Sequence, residues 1–207
     1  AAAQAITRNP LADPGIFGAP QAAALGAVMV LYSGSADAFS FGLPVAAISG
    51  AGISLILIMI LAGQRRGITT LLLAGIALGS LCGAGISLVL SLSSNPFAVT
   101  EIVFWLLGSF SDRSFVHVGM SLPFIVLAGA MLLRCGPSYR LLALGEDTAS
   151  SLGVKVRLTS ILTAFGIAIG VGASTAVAGA IGFIGLVSPH LVRQMSGGDP
   201  RAILLPS

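Results

Sequence analysis

Four stretches of the chain, 14–36, 38–64, 67–100 and 158–192, contain no Asp, Glu, Lys or Arg. A fifth, 114–133, is just long enough to join them, because a helix needs about 20 mostly apolar residues to cross the hydrocarbon of a bilayer. Every charged side chain therefore falls in a gap between candidate spans. The pattern is that of a polytopic membrane protein.

Charged residues make up 8% of the chain and apolar residues 56%, where soluble domains carry about 25% charge. So little surface chemistry is tolerable when lipid covers the outside and helices satisfy their own backbone polar groups. The 207 residues read as one helical bundle without a second domain. The opening Ala1-Ala2-Ala3-Gln4-Ala5-Ile6-Thr7 has neither a start Met nor a basic leader, and it reads as part of a longer protein.

The distribution of basic residues sets the orientation. With Arg8 inside, crossings at 14–33, 43–62, 68–92, 116–133 and 158–177 and a broken or re-entrant return at 181–195 put nine basic residues inside, leaving Arg113 outside. Residues 8, 65–66, 134–157 and 193–201 are then cytoplasmic. A single long last helix would leave seven inside and three outside. Nucleic acid is not expected as a partner, because the net charge of +3 is explained by this asymmetry.

Small residues recur every fourth position, as Gly75, Gly79, Gly83 and Ser87 and as Gly166, Gly170, Ser174, Ala178 and Gly182. Such ladders let helix backbones approach closely, and packing is the expected role. Cys82 and Cys135 read as buried small apolar residues rather than a disulfide framework. Ion-coupled carriers place ionisable groups within the membrane, and this chain offers only His190 near such a position, where a structural histidine is favoured over a proton relay. There is no phosphate-binding Gly-rich loop, nucleophile–base pair or metal-spaced cluster, so catalytic, cofactor-binding and metal-binding residues are expected to be absent.

The loops hold the specific signals. In Arg8-Asn9-Pro10-Leu11-Ala12-Asp13-Pro14-Gly15, Pro10 breaks the incoming helix, and Asp13 with Pro14 supplies a cap and first-turn proline for the next. A rigid cytoplasmic turn is expected. In the loop 136–156, Leu141, Leu142, Leu144 and Leu152 can form the apolar side of one or two short helices interrupted by Gly145. That segment either lies flat on the membrane or docks into a groove on a soluble partner.

Five segments carry a resemblance over essentially the whole chain: Arg8 to Gly18, Leu73-Ala74-Gly75-Ile76-Ala77-Leu78-Gly79, Trp105-Leu106-Leu107-Gly108-Ser109-Phe110, Leu142 to Val154, and Gly179 to His190. In this order they resemble the FecCD-type permeases, membrane subunits of ATP-driven importers for iron-siderophores, haem and cobalamin. The resemblance implies an all-α transmembrane bundle of the type II ABC importer permease kind, of which about six spans or part-spans are present here. It also implies further spans before and after this chain, and residence in the bacterial cytoplasmic (inner) membrane. The implied partners are a second permease subunit, as homodimer or pseudo-dimer, two ATP-binding subunits and an extracytoplasmic substrate-binding protein. ATP and Mg belong to the ATPase partner, and no cofactor is expected on this chain.

By the same resemblance, segment 136–156 is similar to the family's ATPase-coupling segment, with Leu142, Gly145, Glu146, Ala149, Leu152 and Gly153 as candidate residues. The turn Gly67-Ile68-Thr69-Thr70 is similar to a cytoplasmic gate, with Thr69 and Thr70 as candidates, although a helix cap reads two threonines nearly as well. Arg113 is the candidate for docking a binding protein, or else pairs locally with Asp112 or Glu101. Asn9, Pro10, Asp13, Pro14, Pro189 and His190 are the remaining motif residues. The function expected is translocation of a metal chelate. An ion-coupled or facilitative carrier without an ATPase, and a non-transporting scaffold, are the alternatives.

Overall fold

The computed structural model describes residues 1–34, 42–61, 63, 68–111, 113–195 and 203–204. Regular structure among them is helical throughout: α1 (Ala2–Thr7), a 3-10 turn (Pro14–Phe17), α2 (Ala19–Tyr32), α3 (Gly42–Leu61), α4 (Ile68–Leu92), α5 (Pro96–Leu107), α6 (Phe115–Arg134), α7 (Gly136–Leu142), α8 (Glu146–Ser151), α9 (Val156–Ala178) and α10 (Ile184–Met195). Helices α3, α4, α6 and α9 are long and apolar enough to cross a membrane. Arg65, Arg66, Gly67, Asp112 and Arg201, which carry part of the topology, gate and docking expectations, lie outside the described residues.

The first expected crossing is corrected. Pro14 does not open a helix through 33; Pro14–Phe17 is a single 3-10 turn, stopped by Gly18 at φ 70°, and the α-helix is Ala19–Tyr32. Its 14 residues span about 21 Å, short of the roughly 30 Å hydrocarbon core. A Cβ on Gly18 would lie 2.5 Å from the Gly75 carbonyl oxygen, so the turn rests against α4, seven residues beyond its start at Ile68. The residues that follow the Arg8–Gly15 turn therefore meet α4 about 10 Å along its length.

α9 is the hub: 56% of its apolar stretch is buried, against 11% for α6. It packs on α2, α3 and α6 through small residues. A Cβ on Gly166 would meet Leu132 Cδ2 at 2.7 Å, one on Gly170 the Ala128 Cβ at 3.1 Å, and one on Gly172 the Ala51 Cβ at 2.5 Å. Without hydrophobic drive between helices in lipid, such approach supplies the packing energy. The ladders are only half used, however. Nothing lies within 4 Å of a Cβ built on Gly83 or Gly182, and Ser87 and Ser174 are exposed, returning their hydroxyls to the Gly83 and Gly170 carbonyls. Another tight crossing, Gly26 on Ala46 and Gly50 on Ala22 between α2 and α3, belongs to neither ladder.

The chain breaks between α9 and α10, as the shortness of 181–192 requires. Gly179 at φ 78° would place a Cβ 2.6 Å from the Cα of Gly108, and Ser109 N–H donates to the Ala178 carbonyl at 2.8 Å, so the end of α5 braces the break. Both cysteines are buried, Cys82 in α4 and Cys135 at the end of α6.

Candidate functional site

The segment between α6 and α9 folds as two short helices set by two glycines. Pro137 stands in the first turn of α7, where its missing N–H costs nothing. Gly145 takes φ 113° and caps α8, whose first turn carries Glu146 and Asp147, the sign a helix N-terminus favours. Gly153 at φ 88° then ends α8: Val154 N–H donates to the Ala149 carbonyl at 2.9 Å and Gly153 N–H to the Ser150 carbonyl at 3.0 Å, closing a Schellman motif.

Burial divides the candidate coupling residues. Leu142 is 1% exposed and Ala149 fully buried, both packed in the cluster that holds Ile6, Ala164 and Ile167. These two anchor the segment, and a partner cannot reach them without unfolding it. Leu152 and Gly153 are exposed, Gly145 and Glu146 half-buried. Leu144, expected on the apolar side, is 63% exposed and extends the outward surface.

Beneath this surface, α7 is tied to α9. The Tyr139 hydroxyl lies 2.7 Å from Thr163 Oγ1, and Thr163 Oγ1 donates to the Thr159 carbonyl at 2.7 Å. The single Thr163 proton being spent there, Tyr139 is the donor of the pair. Burial pushes the Tyr139 phenol well above its ordinary range, partly offset by the Thr163 hydrogen bond, so it stays a neutral donor. The Cys135 thiol beside it is likewise pushed up by burial. Thr163 was not among the sequence candidates. Its sequence signal is a cluster of hydroxyl residues, Thr159, Ser160 and Thr163, near the start of α9.

The Arg8–Gly15 turn meets the same end of the bundle. Arg8, at the left-handed φ of 52°, closes α1, with Asn9 N–H donating to the Gln4 carbonyl at 3.2 Å. A Cβ on Gly145 would lie 3.8 Å from an Arg8 guanidinium nitrogen, which places that side chain over the α7–α8 junction. Asn9 Oδ1 accepts from Leu11 N–H at 2.9 Å and Asp13 Oδ1 from Gly15 N–H at 2.6 Å, and these side chains fix the turn. Its far end touches α10, where a Cβ on Gly185 would sit 2.5 Å from Pro14 Cδ. Pro10 lines a cavity of about 300 Å³ with Arg8, Gln4, Tyr139 and Arg193, and Arg193 donates to Gln4 Oε1 at 3.0 Å.

Pro189 is buried within α10, whereas His190 is exposed, so the structural role expected of His190 gains no support from packing. Thr69 is exposed and Thr70 half-buried in the first turn of α4, next to Ile68, which belongs to the same buried cluster as Leu142. Arg113 is exposed just before α6, whose 20 residues place it about 30 Å from Arg134 at the other end. Among the described residues no group of three or more His, Cys, Asp or Glu side chains is assembled to hold a metal. A recess between α3, α6 and α9, lined by Ile48, Gly52, Leu55, Phe124 and Gly172, measures about 160 Å³. That is below the roughly 300–1,000 Å³ of a drug-sized site.

Four apolar spans, α3, α4, α6 and α9, with a two-helix appendage between α6 and α9 define a polytopic helical membrane protein. The model of the FecCD transport family matches residues 1–207, and the chain belongs to that family. Its relatives are permeases. It is 35% identical over 209 residues to the uncharacterized ABC transporter permease protein YvrB of Bacillus subtilis, covering 99% of this chain and 59% of that one. It is 34% identical to the ferric enterobactin transport system permease protein FepD of Escherichia coli (96% and 59% covered). The vitamin B12 import system permease protein BtuC of Salmonella typhi is 35% identical (97% and 61% covered). An inward-facing structure of a metal-chelate type ABC transporter superposes with a TM-score of 0.89 at 31% identity, covering 98% of this chain and 64% of the other. The chain thus spans about three-fifths of the length of these relatives.

Proposed function

We propose that the protein is a permease subunit of an ATP-driven ABC importer that moves an iron-siderophore or a related metal chelate, such as haem or cobalamin, across the bacterial inner membrane. The observation that carries the reading is the α7–α8 segment. Leu142 and Ala149 anchor it on the bundle, while Leu144, Glu146, Leu152 and Gly153 face outward at the end where Arg134, Arg140, Lys155 and Arg157 also lie. That arrangement suits docking into a groove on a soluble subunit. It also agrees with the positive-inside rule, which puts this end in the cytoplasm. The relatives' roles in ferric enterobactin and vitamin B12 transport favour a large chelate as substrate.

In this reading two ATP-binding subunits hold ATP and Mg, and the permease contributes no catalytic group. Hydrolysis moves α7–α8, and the spans shift between discrete packings that open alternately to each side. Thr69 and Thr70 stand at the cytoplasmic gate, and Arg113 is offered to an acidic residue of an extracytoplasmic binding protein. The test is to co-purify the full-length subunit with candidate ATPase subunits, reconstitute it in lipid and record ATP hydrolysis with and without a loaded chelate-binding protein. Stimulation by the loaded protein supports the importer; failure of any ATPase subunit to co-purify returns the carrier or scaffold readings.

A further inference from the structure

We propose that Tyr139 is the joint that passes movement of the α7–α8 segment into α9, a positioning role that rests on the importer reading above. The hydroxyl of Tyr139 reaches Thr163 across 24 positions of sequence, at 2.7 Å, with both side chains fully buried. An unmade bond between buried hydroxyls is expensive, so the pair holds one geometry. Leu142 and Ala149 add apolar contacts between the segment and the bundle. Dispersion contacts of that kind set a distance but no direction. The tyrosine bond does have direction.

Its acceptor is well placed to receive a displacement. Thr163 bonds back to the Thr159 carbonyl within α9, so a pull on Tyr139 acts on the α9 backbone and not on a free rotor. One turn further along, Ile167 and Ala168 are buried, and Gly172 then meets Ala51 of α3. A shift of α9 at Thr163 must therefore be shared with α3 and α2, since close-packed contacts leave no slack. Helix α7 presents Gly136, Tyr139 and Leu142 to the interior, one side of its two turns, so the joint sits at the centre of its contact.

The experiment uses the full-length subunit, assembled with its ATPase subunits in proteoliposomes, as wild type, Tyr139→Phe, Thr163→Val and the double variant. Chelate uptake and ATP hydrolysis are measured in parallel, with melting temperature as the control for folding. Uptake per ATP is expected to fall about fivefold in each single variant, the factor that one hydrogen bond of ordinary strength represents. It should fall no further in the double variant, because the two residues act as a unit. An unchanged ratio in Tyr139→Phe, or additive losses in the double variant, overturns the joint, and a purely structural role would move only the melting temperature. Amide exchange supplies a readout independent of transport. In Tyr139→Phe, faster exchange across both 136–142 and 159–167 supports the link, and a rise confined to 136–142 overturns it. Should wild type show no ATP-driven uptake, the importer reading fails, and the exchange result alone decides whether α7 and α9 are mechanically joined.

Discussion

Gly185 lies against Pro14: a Cβ at position 185 would come within 2.5 Å of the proline Cδ and 3.4 Å of Asp13 Oδ2. Two segments 171 positions apart in the chain are thus held together at a point where one of them has no side chain. The contact joins the Arg8–Gly15 turn to α10, and the proline ring cannot swing aside. Gly185→Ala should therefore destabilise the protein, by about 1–3 kcal/mol if it behaves as ordinary overpacking. Gly83→Ala is the control, since open space surrounds that position and alanine favours a helix interior by about 1 kcal/mol. Thermal unfolding in detergent should show a fall for the first variant and no fall for the second; equal melting temperatures would refute the contact.

Asp13 holds the same turn from the other side. Its carboxylate accepts from Gly15 N–H at 2.6 Å. Asp13→Ala should cost about 1 kcal/mol, as caps do, and Asp13→Asn, which keeps an acceptor, only a fraction of it. Comparing the melting temperatures of the two variants separates the cap from the charge. Equal losses would assign the effect to charge.

The buried Tyr139 phenol gives a pH dependence with a defined sign. Its folded value is raised by burial above the ordinary tyrosine value of about 10. Above that pH the unfolded chain releases a proton that the folded chain retains, so the unfolded state binds fewer protons and stability falls as pH rises. The contribution is fully present below about pH 10 and lost above it. Denaturant midpoints measured from pH 8 to 11 should decline more steeply for wild type than for Tyr139→Phe. Parallel curves would mean that the phenol is not protected.

Charge-free length made the four long helices legible. The expected 43–62, 68–92, 116–133 and 158–177 match Gly42–Leu61, Ile68–Leu92, Phe115–Arg134 and Val156–Ala178 closely, because a bilayer leaves few alternatives to a continuous helix. The same criterion hid α5, since Glu101 interrupts the apolar run there. A cap signal was available in Asn95-Pro96, where the Asn95 side chain accepts from Phe97 N–H at 3.0 Å. It extended the start at 14 for the opposite reason: charge counting does not register the left-handed Gly18 that ends the 3-10 turn. Within the candidate site, the break at Gly145 could be read from sequence, but which leucines turn inward could not. Helices of six and seven residues are too short for a period to emerge. The Tyr139–Thr163 bond depends on tertiary packing and has no local signature.

Leu142 and Leu152 look alike in sequence, and the structure assigns them opposite consequences. Leu142 is 1% exposed inside the cluster and Leu152 is 57% exposed at the end of α8. Leu142→Ala should cost about 2–5 kcal/mol, the range for emptying a packed leucine site, and should lower the yield of folded protein. Leu152→Ala removes no core contact, and a surface truncation of this kind stays within about 0.5 kcal/mol. If α7–α8 docks on an ATPase subunit, Leu152→Ala should instead weaken co-purification with that subunit by up to about tenfold, since interface side chains that matter cost more than 1 kcal/mol when truncated. Pairing thermal unfolding with a pull-down of the ATPase subunit measures both quantities on one preparation. A Leu152→Ala variant that keeps both its stability and its partner would remove this leucine from the interface, leaving Leu144, Glu146 and Gly153 to carry it.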